Sequence, residues 1–204
     1  GSFVDMGVDE APVIWYVDND ANGLNTGYSW DNALTSIQDA VELSTDGDIV
    51  LVQQGLYSET IVVDQKIVTI KSTNPEDWNV VDQTIINPSD PNLPAVTFSS
   101  NPQTQSSIEG LTIQGGSAGI AVWNGAAPLV SRCKIKDSSG NGVEVFYSSP
   151  TLEYCQIQNH AGTGVSGKHT NLVLKNCLLI DNQQGAIEGG EGTVENCTIV
   201  NNKE

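Results

Sequence analysis

The chain has 204 residues, enough for one large domain or two small ones with a core of useful size. Eight Lys and Arg against 25 Asp and Glu give a formal charge of -17, so the summed field repels polyanions, and nucleic acid and anionic membrane surfaces are disfavoured as partners. No run of 18 apolar residues is present to insert in a bilayer, and 20 glycines with 1 Met suggest a turn-rich β protein.

In chain order, the first feature is DNDANG, Asp18 to Gly23. It puts oxygens of Asp18, Asp20 and Asn22 at loop positions 1, 3 and 5 and a glycine at 6, as the opening of an EF-hand calcium loop does. Ser29 stands where that loop needs a bidentate glutamate, and such runs are also ordinary hydrogen-bonded turns. Calcium and a plain turn are both open. Next, in ALTSIQDAVELSTDGD, residues Ile37, Ala40, Val41 and Ser44 share a helical face. Thr35 with Gln38, or Ser36 with Asp39, makes a capping box, and Gly47 ends the helix. From Asp48, the stretch DIVLVQQGLYSETIVVDQKIVTIKS alternates apolar and polar residues as strands do, and TIIN and AVTFSS add further rungs. Trp15, Trp30 and Trp78 fall in this less regular half, where large aromatics close caps and seal loops.

The second half repeats. SIEGLTIQGG, VSRCKIKDSS, LEYCQIQNHA, LKNCLLIDNQ and VENCTIVNNK fit one template, and their anchors Ile113, Ile135, Ile157, Leu179 and Ile199 are spaced 22, 22, 22 and 20 residues apart. Between these phrases a short strand follows a glycine at Gly119, Gly142, Gly164 and Gly185, and a third begins at Pro128 and Pro150. Three short strands per ~22 residues leave no room for helices, so each repeat is one coil of a solenoid. The expected fold is therefore all-β, a right-handed parallel β-helix closed by an N-terminal capping helix. Residues 1–48 hold the first strand, loop and cap helix, and 49–204 the solenoid, as one continuous domain.

Successive coils pair as parallel strands about 4.8 Å apart, so each inward position becomes a column. Cys133, Cys155, Cys177 and Cys197, continued by Leu111, form one such column. In-register side chains point the same way, which rules out disulfides, and sulfurs in a line do not make the tetrahedron that zinc wants. The thiols are core. Gly115, Asp137, Asn159, Asp181 and Asn201 form a second column, expected to satisfy the next turn as a ladder of side-chain amides. The last coil, CTIVNNKE, carries no polar closing turn, so Val194, Cys197 and Ile199 are expected to meet a continuation of the solenoid or another chain, including end-to-end self-association.

IWYVDNDANGLNTGYSWDNALTSIQDAV, GDIVLVQQGLYSETIVV and SSPTLEYCQIQN together resemble the secreted right-handed parallel β-helix proteins of the pectate-lyase-like superfamily, and most nearly the bacterial secreted and surface proteins built from such repeats. The resemblance implies a secreted or cell-surface location, and it covers lyases, hydrolases, epimerases, adhesins and non-catalytic domains. For a lyase it implies a cation against a uronate carboxylate and a base beside it. Arg132 and Lys134, with Lys136, supply three of the chain's eight cations on one strand, and Lys134 or Tyr154 would be the base. The plainer expectation is a solvated face with charge pairs to Glu109 and Glu153. Glu144 and Glu188 are two coils apart, too sparse for a hydrolase pair. At the end of the second strand, Trp123, Phe146, Tyr147, Lys168 and His169 recur on three successive coils; such aromatics suit sugar faces, with Asn124 and His169 bonding hydroxyls, or else they only cover a corner. The expectation is a non-catalytic domain that binds a polysaccharide or a surface protein, with a uronate lyase as the alternative and no cofactor beyond the calcium loop.

Overall fold

The computed structural model describes residues 11–99 and 105–203. These residues wind into about seven coils of a right-handed parallel β-helix. Each full coil contributes one strand to each of three parallel sheets, which among the described residues hold eight, seven and six strands. One coil shows the plan: Leu129–Ser131 in the eight-stranded sheet, Lys134–Lys136 in the seven-stranded sheet, and Val143–Phe146 in the six-stranded sheet. The next coil repeats it at Thr151–Glu153, Gln156–Gln158 and Val165–Lys168.

The expected registration holds. Ile113, Ile135, Ile157, Leu179 and Ile199 pair in sequence, each directly over the last. Cys133, Cys155 and Cys177 are free and buried, and Cys197, in the last coil, is partly buried. Each of the first three thiols donates to a carbonyl 25 residues upstream, at Ile108, Val130 and Leu152, 3.4–3.5 Å away. Burial pushes the Cys133 thiol up to about 12 and Cys155 well above the ordinary range, so neither is a nucleophile. In the neighbouring pair, the thiol hydrogen bond with Cys155 draws Cys177 down to about 7 despite its burial.

Two expectations need correction. Arg132 and Tyr154 do not lie on the outer face of a strand. With Gly110, Asn176 and Asn196 they occupy a left-handed bend, φ 52–69°, that turns the chain from the eight-stranded to the seven-stranded sheet. A left-handed residue breaks the alternation, which restarts at the following cysteine; the phrase read as one strand is two. The ladder is also one residue out of place. Asp137, Asn159, Asp181 and Asn201 do form a column of left-handed corner residues (φ 54–60°), and Asn159 Nδ2 donates to Asp137 Oδ1 at 2.5 Å, but all four are exposed and the column does not carry the buried turn.

The buried ladder is the next column: Ser138, His160, Asn182 and Asn202. The Ser138 N–H donates to His160 Nδ1 at 3.2 Å, the His160 N–H to Asn182 Oδ1 at 3.2 Å, and the Asn182 N–H to Asn202 Oδ1 at 3.1 Å. In the other direction His160 Nε2 meets the Ile135 carbonyl, Asn182 Nδ2 donates to the Ile157 carbonyl, and Asn202 Nδ2 to the Leu179 carbonyl. The side chains of His160, Asn182 and Asn202 thus each tie two backbone groups of the coil before them, which a buried turn cannot leave unpaired. Gly119, Gly142 and Gly164 precede the strands of the six-stranded sheet because a Cβ there would lie 2.6–2.7 Å from a carbonyl of the adjacent coil.

The cap helix α1 (Ile37–Leu43) packs on the first coil and buries Ile37, Ala40 and Val41. Ser36 is its N-cap, accepting from the Asp39 N–H; the helix ends at Ser44, ahead of Gly47. The carboxylate that completes the cap comes from Glu59, which accepts from Ser36 Oγ and from the N–H groups of Ile37 and Gln38 at 2.7–3.0 Å. At the other end Lys66 Nζ donates to the carbonyls of Val41, Glu42 and Ser44 at 2.6–2.9 Å. Anion at the N-terminus and cation at the C-terminus match the helix dipole. A second short helix, α2 (Trp78–Gln83), was not expected; it is capped by Asp77 and lies over the seven-stranded sheet, with Thr112 Oγ1 donating to the Val81 carbonyl at 2.9 Å.

Candidate functional site: an aromatic groove on the six-stranded sheet

The outer face of the six-stranded sheet is built by strict registration. Trp123, Phe146 and Lys168 form one column, and Ala121, Glu144, Ser166 and Glu188 form the next outward column two residues earlier. Their neighbours Val143 and Val145 face the core, so the alternation that buries the valines sends Glu144 and Phe146 into solvent. One residue beyond, Asn124, Tyr147 and His169 stack at a left-handed corner, φ 48–58°. Tyr147 and His169 lie parallel, with centroids 4.6 Å apart and 9° between planes, while Phe146 meets Tyr147 edge-on at 4.5 Å. Burial among themselves is incomplete: Phe146 is 43% and Tyr147 54% exposed.

Trp123, Phe146, Asn124 and Lys168 line an open groove of about 490 Å³, joined by Asn141, Glu144, Ser166 and Glu188. Tyr147 and His169 stand at its corner, and His169 also borders an adjoining hollow with Ser149 and Glu191. The expected platform residues are therefore brought together. Sequence reasoning passed over Asn141 and Ser166 and dismissed the glutamates; the signal that finds them is registration itself, which puts Glu144, Ser166 and Glu188 on consecutive rungs.

The cations of the seven-stranded sheet are placed differently. Lys134 forms an ion pair with Asp82, and Arg132 Nη2 lies 3.6 Å from Glu76 Oε1. Both carboxylates come from α2 and the segment before it. Lys136 pairs with its neighbour Asp137 at 3.2 Å, and the Arg132 guanidinium sits 5.0 Å above the Tyr154 ring. The partners are thus not Glu109 and Glu153 as expected, since α2 folds over this face and delivers its own carboxylates; Glu153 faces Lys175 at 3.9 Å. Arg132, Lys134 and Tyr154 are near one another, with the two cations already neutralised.

In the Asp18–Asn22 loop, Asp18 Oδ1 accepts the Asp20 N–H at 3.0 Å and the Asp18 carbonyl accepts the Ala21 N–H. Asn19 Nδ2 ties the loop to the Leu56 carbonyl. Asp20 and Asn22 point outward and exposed, and among the described residues no three His, Cys, Asp or Glu side chains gather as metal ligands. The aromatics of the N-terminal half pack on one another: Trp15 on Tyr28 and Tyr16 on Trp30. In the last described coil, Val194, Ile199 and Val200 are 38–50% exposed.

A family model for the right-handed β-helix region matches residues 68–204. The chain belongs to the right-handed β-helix family. No curated protein sequence matches this β-helix chain. Among solved structures, it is similar to the pectate lyase Pel9A at TM-score 0.64 and 15% identity, over 90% of this chain and 52% of that one. It therefore spans about half the length of that enzyme, and the likeness is one of fold. Two structures of a pectin methylesterase from Aspergillus niger, in differently deglycosylated forms, align over 97% of this chain and 86% of theirs at 11% identity, with TM-scores of 0.44 and 0.43.

Proposed function

We propose that this β-helix domain is a non-catalytic glycan-binding module, and that the groove on the six-stranded sheet holds the sugar chain. The observation that carries this is the column of half-buried Trp123 and exposed Phe146 above a 490 Å³ groove edged by Asn124, Asn141 and Ser166. Aromatic faces pack on the apolar faces of sugar rings, and amide and hydroxyl groups beside them bond ring hydroxyls. A rigid solenoid holds these side chains at fixed spacing, so little order has to be imposed on binding. An extracellular polysaccharide as ligand goes with a secreted or cell-surface location, and a charge of -17 keeps such a surface soluble.

A uronate lyase on the Lys134 strand is the weaker alternative. Its cations face Asp82 and Glu76, so a substrate carboxylate would have to displace a partner already in place. The two readings separate in one experiment. Affinity gels of several polysaccharides are expected to retard the protein, retardation to fall at least about tenfold with Trp123→Ala or Phe146→Ala, and Lys134→Ala to leave it unchanged. Release of unsaturated, near-ultraviolet-absorbing products from uronate polymers, abolished by Lys134→Ala, would overturn the binding-module assignment.

A further inference from the structure

The groove is acidic as well as aromatic. Glu144 lies on the rung of Phe146, Glu188 lies two rungs on, and Ser166 stands between them. Glu188 accepts from Thr163 Oγ1 at 3.3 Å, and among the described residues neither glutamate has a cation within ion-pair distance. Lys168, the one cation lining the groove, belongs to the aromatic column rather than to the carboxylate column. A neutral glycan laid across this surface would strip water from two carboxylates and return no charge, and a uronate would add repulsion on a molecule already at -17.

Spacing narrows the ligand further. Two rungs put the Glu144 and Glu188 backbones about 10 Å apart along the solenoid axis. An extended β-1,4-linked chain advances by close to one rung per sugar and turns over at every step, so substituents on the same side recur at every second sugar. That repeat matches the carboxylates.

We propose that the groove selects a β-1,4 chain of 2-amino-2-deoxyhexoses, whose ammonium groups on alternate sugars face Glu144 and Glu188 while the ring faces lie on Trp123 and Phe146. The assignment rests on the glycan-binding role of the groove and specifies its ligand. Each ammonium–carboxylate contact is partly solvated, so the selectivity is several-fold, salt-sensitive and shared between the two glutamates.

The test is calorimetric titration with a β-1,4 glucosamine oligomer, the N-acetylated oligomer of the same length, and a galacturonate oligomer, near pH 6. The glucosamine oligomer is expected to bind roughly three- to tenfold more tightly than its N-acetylated counterpart at low salt, and the galacturonate oligomer not to bind. In the Glu144→Gln, Glu188→Gln double variant the preference is expected to vanish while binding of the N-acetylated oligomer persists. Equal affinity for the amino and N-acetylated oligomers, or a preference that survives the double variant, overturns the charge selection and leaves the groove as a glycan site. If no oligomer binds, or if Trp123→Ala binds as the wild type does, the glycan site itself is refuted and the selection with it.

Discussion

His160 is the one member of the buried ladder that can change its charge near neutral pH. Its ring does the work of an asparagine amide: Nδ1 accepts the Ser138 N–H and Nε2 meets the Ile135 carbonyl, as Asn182 Oδ1 accepts the His160 N–H and Asn182 Nδ2 reaches the Ile157 carbonyl. That pattern needs a neutral ring with an unprotonated Nδ1. Burial lowers the imidazole from its ordinary 6.5 to about 4, against the Ile135 carbonyl and Asp137, which raise it. The unfolded chain then takes up a proton near 6.5 and the folded chain only near 4. Between these values the unfolded state binds more protons, so stability is full above about pH 6.5 and falls as the pH drops toward 4. The shift corresponds to about 3 kcal/mol across that window.

His160→Asn keeps both hydrogen bonds in kind and removes the titration. The variant is expected to lose about 1–2 kcal/mol at pH 7.5, for the volume given up beside Gly142, and to be the more stable protein near pH 4. Urea midpoints measured for both proteins between pH 7.5 and 4, followed by tryptophan fluorescence, give the difference directly, because the other titrating groups are common to both. Wild-type and variant midpoints that stay parallel over the whole range would refute a neutral, desolvated imidazole in the ladder.

Lys66→Met removes the cation that closes the C-terminal end of α1 and leaves three carbonyls without that donor; a loss of roughly 2–3 kcal/mol is expected, read as a lower urea midpoint. Thiol labelling of the native protein is expected to reach Cys197 well before Cys133 and Cys155, which should react only on unfolding; equal labelling of all four would contradict the buried column. For the Asp18–Asn22 loop, tied by hydrogen bonds to the Asp18 carboxylate and carbonyl, the same melting midpoint is expected with added calcium and with chelator, and a chelator-dependent drop would assign a cation there.

Columns were legible in the sequence because registration makes distant residues equivalent: once Ile135, Ile157 and Leu179 align, everything at the same offset aligns with them. The corners were not. Asn and Gly announce a left-handed residue, but Arg132, Tyr154 and His169 hold the same conformation without doing so, as stacked neighbours impose the bend on whatever side chain occurs. The displaced ladder follows from a corner the sequence does announce, since the left-handed residue at Asp137 moves the inward position on by one, to Ser138 and its column. Insertions leave no periodic trace, and α2, short and framed by Asp77, is stabilised by the sheet beneath it more than by its own pattern. The groove was half visible. Trp123 and Phe146 stand out as aromatics, whereas Glu144 and Glu188 gain meaning only when rungs are counted along a face rather than along the chain.

The fastening of α1 has a bearing on how the molecule comes together. Its two clasps, Glu59 and Lys66, are synthesised after the helix they secure, and a seven-residue helix cannot persist alone in water. The helix must therefore wait, unlatched, until the chain has looped once around beneath it, and only then does the lid become a foundation for the coils that follow.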